Sequence, residues 1–366
     1  MTSDKIRLGI VGANPKYGWS MRAHLPALLA LPEYELSAVC TSSPETAAES
    51  AKAYGAKSAF HDYHEMVASP EVDLVSISVR VPLHHDMVMA ALAAGKHVFC
   101  EWPLGANLAE AQEMDALARS KGVTNMVGLQ ARGAPAILHL KDLISQGYVG
   151  EVLACNMSMF LPGVLQRGKT MPWMADREKG GNTLTIGTGH AIDAFCFCAG
   201  EFREISAKVA TQVPEWETSE PGETVPVNAA DNVLINGTLV GGAVASVHVA
   251  TIPWHGTGWR MEVYGREGTL TASSQEMIQY GNISISGAHG GETQLAELSI
   301  PEALTHVPGE VPMGAPFNVG QIYRSLGQAI NSGGKATPDF GLAVERHRLL
   351  AAMEQSSNAG GKSVTV

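Results

Sequence analysis

Positive charge is scarce in this chain. Its 366 residues hold 25 lysines and arginines against 36 aspartates and glutamates, a net charge of −11. Nucleic acid and anionic membranes both demand clustered cations, so neither is expected as the main partner. Long hydrophobic runs are missing too, none approaching the ~18 residues of a membrane span. Cysteine is sparse: Cys40, Cys100, Cys155, Cys196 and Cys198 make an odd set with no Cys-x-x-Cys pair. That argues against a disulfide framework or a structural zinc site and for a reducing, cytoplasmic setting. No metal-ligand set is read elsewhere. His61 and His64 have the spacing of a metal pair, but no third ligand accompanies them and a solvated helix start accounts for both. A strand pattern begins almost at once, at Ile6–Val11, so no secretory signal is expected.

The composition, 45% hydrophobic and 17% charged, is that of a globular chain. At ~100–200 residues per domain the length suggests two domains. Up to about residue 127, strands and helices alternate. Ile6–Val11, Leu36–Cys40, Val72–Val79, His97–Cys100 and Val123–Val127 read as buried strands. Ser43 before Pro44 is a helix start, as is Asn107 with Glu110 three residues on; Gly55, Gly95 and Gly147 are stops. This alternation predicts a doubly wound parallel sheet covered by helices. From Glu151 alternating strands dominate. Cys155, Met157 and Met159 face one way, Asn156 and Ser158 the other. A mostly antiparallel sheet is predicted there, interrupted by a helix over Leu184–Ala199 and followed by helices near Val319–Ile330 and Leu342–Gln355. Val213–Asn228 and Ile300–Phe317, rich in proline, read as solvated loops.

The first strand runs into Gly12-Ala13-Asn14-Pro15-Lys16-Tyr17-Gly18-Trp19. A dinucleotide turn needs glycine at the tight bend and small residues where backbone meets pyrophosphate. Gly12 fits the bend. Asn14 takes the second glycine's place, since asparagine tolerates left-handed angles, and Gly18 arrives one residue late. NAD sites usually end their second strand with a carboxylate for the ribose hydroxyls. Here the strand ends in Thr41-Ser42-Ser43. Hydroxyls do not repel a 2′-phosphate, so the choice between NADP and NAD leans to NADP; the alternative is that Ser43 only caps a helix.

Several blocks together resemble the glucose–fructose oxidoreductase/inositol dehydrogenase (Gfo/Idh/MocA) family. They are Val81-Pro82-Leu83-His84; Ala91-Leu92-Ala93-Ala94-Gly95-Lys96-His97-Val98-Phe99-Cys100-Glu101-Trp102-Pro103; Gly128-Leu129-Gln130-Ala131-Arg132; and Gly180-Gly181-Asn182 through Gly189-His190-Ala191-Ile192-Asp193. The resemblance implies a Rossmann domain at residues 1–127 and a C-terminal α/β domain at 128–366 with a large open sheet. It further implies a nicotinamide site at their junction and dimers or tetramers formed through that sheet. In the family Glu-Lys-Pro is usual, and here the triplet is Glu101-Trp102-Pro103; the usual aspartate four residues before the histidine is Ile186. Those departures, with Trp19 after Gly18, are similar to a branch that includes fungal galactose-regulon repressors, which bind NADP and act as sensors.

Two functions are therefore expected in competition. The first is an NAD(P)-dependent oxidoreductase acting on a sugar, polyol or related hydroxyl compound, with His190 as acid/base and Trp102 shaping the pocket. The second is a cofactor-binding sensor without turnover. Candidate cofactor contacts are Gly12, Asn14, Gly18, Trp19, Thr41, Ser42, Arg80, His84, Glu101, Trp102 and Gln130. Candidate substrate contacts are Gln130, Arg132, Trp173, Lys179 and Asp193. Lys179 is a candidate replacement for the missing ammonium, and Asp193 braces the site or simply packs. The segment Trp254–Trp259 is a substrate wall or a plain hairpin.

Overall fold

The computed structural model describes residues 5–168, 171–219 and 222–366, which form two compact units. The first runs to Gly133 and includes His306–Glu345; the second comprises Ala134–Thr305 and Arg346–Val366.

In the first unit β1 (Ile6–Val11), α1 (Leu25–Ala30), β2 (Tyr34–Cys40), α2 (Pro44–Tyr54), β3 (Ser58–Phe60), α3 (Tyr63–Ala68), β4 (Leu74–Ile77), α4 (His84–Ala93), β5 (His97–Glu101), α5 (Leu108–Lys121) and β6 (Asn125–Gly128) alternate. Their six strands are all parallel, in the order β3-β2-β1-β4-β5-β6. The order reverses between β1 and β4, which opens a crevice at the carboxyl ends of these two strands. Every residue of β4 is buried, as in a sheet covered on both faces. The Ser43 hydroxyl accepts from the N–H of Thr46 at 3.3 Å, and Asn107 Oδ1 from that of Glu110 at 3.0 Å, so both expected caps form. The strand expected over Val72–Val79 contracts to β4, and the three-residue edge strand β3 was not anticipated.

The second unit contains α6 (Pro135–Ser145), β7 (Val152–Pro162), β8 (Gln166–Arg167), α7 (Gly189–Ala199), β9 (Phe202–Ala210), β10 (Glu215–Thr218), β11 (Thr224–Pro226), β12 (Asn232–Leu239), β13 (Val244–Ile252), β14 (Gly258–Gly265), β15 (Gly268–Ser274), β16 (Ser284–His289) and β17 (Ala296–Glu297). With the terminal β18 (Val364–Thr365) they build a nine-stranded sheet ordered β17-β16-β15-β14-β7-β13-β12-β9-β18. Only β7 and β13 are parallel neighbours in it. Cys155, Met157 and Met159 are buried while Asn156 and Ser158 are partly exposed, the alternation that the sequence predicts. Ahead of α7 the chain makes a wide π-type turn at Thr183–Thr188. Asn182 caps it through Oδ1, and Thr185 Oγ1 accepts from the Asn182 N–H in return.

Helix α8 (Ala315–Ser332), which follows the sheet strands in sequence, belongs to the first unit, so that unit is not one continuous stretch of chain. Its Val319, Ile322, Tyr323 and Leu326 form one stripe and enter the same core as Ile10, Leu25, Leu28 and Phe99. The proline-rich stretch before α8 is not a solvated insertion throughout. Val307 and Val311 join that core, and the N–H groups of His306 and Val307 donate to Gln321 Oε1 at 2.7 and 3.0 Å. The segment Val213–Asn228 is a β10–β11 hairpin extended by β8 into a three-stranded sheet. It buries Trp216 beside Ala175, Val227 and Ala229. Pro226 sits at a strand end, where its missing N–H is tolerated; Pro221 lies outside the described residues. A last helix, α9 (Phe340–Asn358), precedes β18. No helix among the described residues is long and apolar enough to cross a membrane, and all five cysteines are buried.

Candidate functional site

Gly12 leaves β1 with φ of 89°. A Cβ at that position would lie 2.1 Å from the carbonyl oxygen of Ser78, so the loop crosses the end of β4 at a distance only glycine permits. Gly18, at φ of 108°, borders open space. Asn14 does not adopt the expected left-handed angles, because among the described residues only glycines have positive φ. Its Oδ1 instead accepts from the Lys16 N–H at 2.9 Å, closing an Asx turn. Trp19 leads into a wide turn, Ser20–His24, that feeds α1. At the end of β2 the Thr41 hydroxyl is engaged by Ser43 and Thr46 at 3.1 and 2.7 Å, within the cap of α2. Ser42 stays exposed. Lys16 reaches Glu49 of α2 at 2.8 Å, a nearby cation the sequence reading did not consider.

The hydroxyls of Ser20 and Ser78 are buried, and neither has a hydrogen-bond partner among the described residues. One opens the turn after the glycine loop and the other borders Gly12. Buried polar groups are rarely left unpaired, so two orphaned hydroxyls at the carboxyl ends of the strands fit a polar ligand such as a dinucleotide pyrophosphate.

Glu101 closes β5 at 9% exposure. The Gln130 amide donates to both its oxygens, at 2.7 and 2.8 Å, so the structure brings two predicted residues together. Gly128 makes room for that carboxylate, since a Cβ there would lie 2.8 Å from Oε1. His24 Nε2 lies 2.8 Å from Oε1 as well, though off the line of a hydrogen bond. His24 Nδ1 is 2.8 Å from the Tyr323 hydroxyl, itself 2.7 Å from Ser76 Oγ. Burial pushes the Tyr323 phenol well up, which keeps it neutral. His24 and Tyr323 were missed in the sequence. They stand 299 positions apart, and neither has a local motif to mark it.

His84 is buried with Nδ1 2.8 Å from the Pro103 carbonyl and Nε2 3.2 Å from that of Val79. Burial pushes its pKa down, and a neutral imidazole has one N–H for these two acceptors. It ties the chain beyond β4 to the cis Trp102–Pro103 turn. Trp102 is 4% exposed. Arg80 is exposed, and Arg132 is half-buried in the turn Gln130–Gly133.

In the second unit His190 is the second residue of α7, buried at 4% exposure. Asp193 follows three residues later on the same helix. It is fully enclosed and accepts from Arg346 Nε at 2.9 Å, while the same guanidinium also binds the Glu201 carboxylate. Trp173 is half-buried against Gly181, where a Cβ would fall 2.0 Å from its ring. Lys179 is exposed in the short turn Arg177–Lys179. The segment Trp254–Trp259 divides: Trp254 is 71% exposed, whereas Trp259 is fully buried in β14. His61 and His64 are exposed, and Asp62 caps the latter's helix through its N–H at 2.8 Å.

Comparison with known proteins agrees with this geometry. Residues 6–129 match the model of the oxidoreductase family with NAD-binding Rossmann fold, and residues 135–274 match that of the Gal80p C-terminal domain. The dehydrogenase aclE of Aspergillus oryzae is 37% identical over 220 residues, 58% of this chain and 60% of that one. The galactose/lactose metabolism regulatory protein GAL80 of Saccharomyces cerevisiae is 30% identical over 258 residues, 65% of this chain and 59% of its own. Levoglucosan dehydrogenase of Pseudarthrobacter phenanthrenivorans is 26% identical over 288 residues, 72% of this chain and 73% of its own. The structure of levoglucosan dehydrogenase in complex with NADH and levoglucosan superimposes with a TM-score of 0.86, covering 99% of this chain and 100% of that one at 22% identity. The chain thus belongs to the Gfo/Idh/MocA oxidoreductase family, in a branch whose second domain is of the Gal80p type.

Proposed function

We propose that this protein is a nicotinamide-dependent oxidoreductase that moves a hydride to or from a CH–OH group of a sugar, polyol, glycoside or related compound. The observation that carries the reading is the pair of orphaned hydroxyls, Ser20 and Ser78, beside a glycine loop at the reversal of strand order. Gly12, Asn14, Gly18 and Trp19 form the loop that would seat the pyrophosphate. Ser42, exposed and without a neighbouring strand-end carboxylate, would face the ribose, which favours NADP over NAD. Glu101, held by Gln130, would anchor the nicotinamide end with Trp102, while His84 and Arg80 support the segments on either side. The bound coenzyme supplies the hydride acceptor or donor. His190 takes the hydroxyl proton on oxidation and returns it on reduction, a task suited to imidazole near neutrality. Gln130, Arg132, Trp173 and Lys179 are proposed to hold the substrate.

The relatives named dehydrogenases support this reading. Its test is reduced-nicotinamide absorbance with NADP or NAD and a panel of sugars, polyols, glycosides and ring hydroxycarboxylates. Turnover lost in His190→Ala with coenzyme binding intact supports it; turnover unchanged in that variant refutes it. A second reading, a coenzyme-binding regulator without turnover, is favoured by Trp102 and Ile186, apolar where the family carries lysine and aspartate. Tight coenzyme binding with no turnover across the panel selects it. Self-association is proposed through the outer face of the nine-stranded sheet, where Leu234, Val244 and Tyr264 are exposed; light scattering coupled to size exclusion tests for a dimer or tetramer.

A further inference from the structure

The second unit holds a cavity of about 380 Å³, within the size range of small-molecule sites. Its walls are largely apolar. Met159 and Leu161 come from β7, Ile186 from the wide turn before α7, and Trp216 from the small hairpin. Several polar groups on the wall are already engaged. The hydroxyls of Thr183 and Thr251 bond each other at 2.7 Å. Asp231 accepts from the N–H groups of Gln212 and Val213 at 2.8–2.9 Å, and Asn182 Oδ1 caps the turn that follows.

Arg167 is different. Its guanidinium lies 4.9 Å over the Trp216 ring, and Nη1 donates to the Gly163 carbonyl at 2.6 Å. Nε is buried with no hydrogen-bond partner among the described residues, and burial alone, with no neighbouring carboxylate, sets the charge's surroundings. Burial pushes its pKa down: the charge is carried at a cost that a bound anion would offset. A planar fork against an aromatic ring is the arrangement that receives a carboxylate edge-on.

We propose that this cavity binds a ligand with an apolar ring or alicyclic body and one carboxylate, received by Arg167 with the body against Trp216, Met159 and Ile186. A doubly charged phosphate is disfavoured, because Arg167 would face it alone and the carboxylates of Asp231 and Glu276 share the wall. A neutral sugar is disfavoured, because it would leave the buried guanidinium charge without a counter-ion. Ile186 stands one turn before His190 in the same segment, so the ligand is assigned as the substrate; that assignment, unlike the binding itself, rests on the oxidoreductase reading.

The test is calorimetric titration of the intact protein, without coenzyme, using 3-hydroxycyclohexanecarboxylate, its carboxamide and cyclohexane-1,3-diol. The carboxylate is expected to bind about 10-fold or more tightly than either neutral probe, and Arg167→Met to weaken it by about 10- to 100-fold, the effect of one hydrogen-bonded charge. Arg167→Lys, which keeps the charge and loses the fork, should fall between. Should Arg167→Met fail to fold, the carboxylate–carboxamide comparison on the natural protein decides alone. No heat with the carboxylate, neutral probes binding within a few-fold of it, or undiminished binding in a folded Arg167→Met overturns the proposal. Binding of the carboxylate without reduction of NADP or NAD leaves the cavity assignment standing and removes the redox reading.

Discussion

Acid should loosen the second unit through one histidine. His347 lies on α9 next to Arg346, the residue that holds Asp193 and so braces the helix of His190. It is 4% exposed, and burial pushes its pKa from the ordinary 6.5 down to about 4. The folded protein keeps the ring neutral, whereas the unfolded chain takes up a proton once pH falls below 6.5. The stability this histidine confers is therefore complete above that value and is lost as pH falls towards 4. At pH 5 the loss is about 2 kcal/mol relative to pH 7, and below pH 4 it approaches about 3 kcal/mol. For a unit of this size, ~2 kcal/mol corresponds to about 4–8 °C in Tm. The assay is thermal unfolding of the natural protein and His347→Leu at pH 7 and pH 5. The variant will start from its own baseline, and its decline between the two values should be shallower by about this amount. Equal declines in both proteins would refute the reasoning.

Three further outcomes are expected. Gly12→Ala should weaken coenzyme binding at least about 10-fold in calorimetry, since positive φ alone costs an L-residue ~1–2 kcal/mol and the new methyl must also clear the Ser78 carbonyl. Arg346→Met should cost about 3–5 kcal/mol in denaturant unfolding, by leaving the Asp193 carboxylate buried without its cation. Tyr323→Phe should cost about 1–3 kcal/mol by the same measurement, because His24 and Ser76 lose the hydroxyl between them; a cost near zero would show that the Ser76–Tyr323–His24 chain is not cooperative.

Much of the architecture was legible because local signals and burial agreed. Continuous apolar runs marked the parallel strands, Ser43 and Asn107 marked helix starts, and the two-residue alternation of Cys155, Met157 and Met159 marked the second sheet. What the sequence hid was mostly non-local. The stripe Val319, Ile322, Tyr323 and Leu326 announces a helix but not the sheet it covers, so the return of α8 to the first unit was unreadable. The hairpin around Trp216 looked like a loop because prolines and glutamates surround it. The alternation Glu215-Trp216-Glu217 was the signal that could have found it. The site divides in the same way. Glu101 and Gln130 carried motif context and meet in space. His24 has none, and Arg167 sits in a two-residue strand too short to read. For Asp193 the readings of substrate contact, brace and packing stayed open in the sequence, because its partner Arg346 lies 153 positions away.

The central claim is that the glycine loop of the first unit seats a nicotinamide dinucleotide. Titrating the natural protein with NADP and with NAD in a calorimeter tests it most directly. Saturable heat with at least one of them, stronger for NADP and diminished in Gly12→Ala, is the predicted result. No heat and no thermal shift with either coenzyme would contradict it.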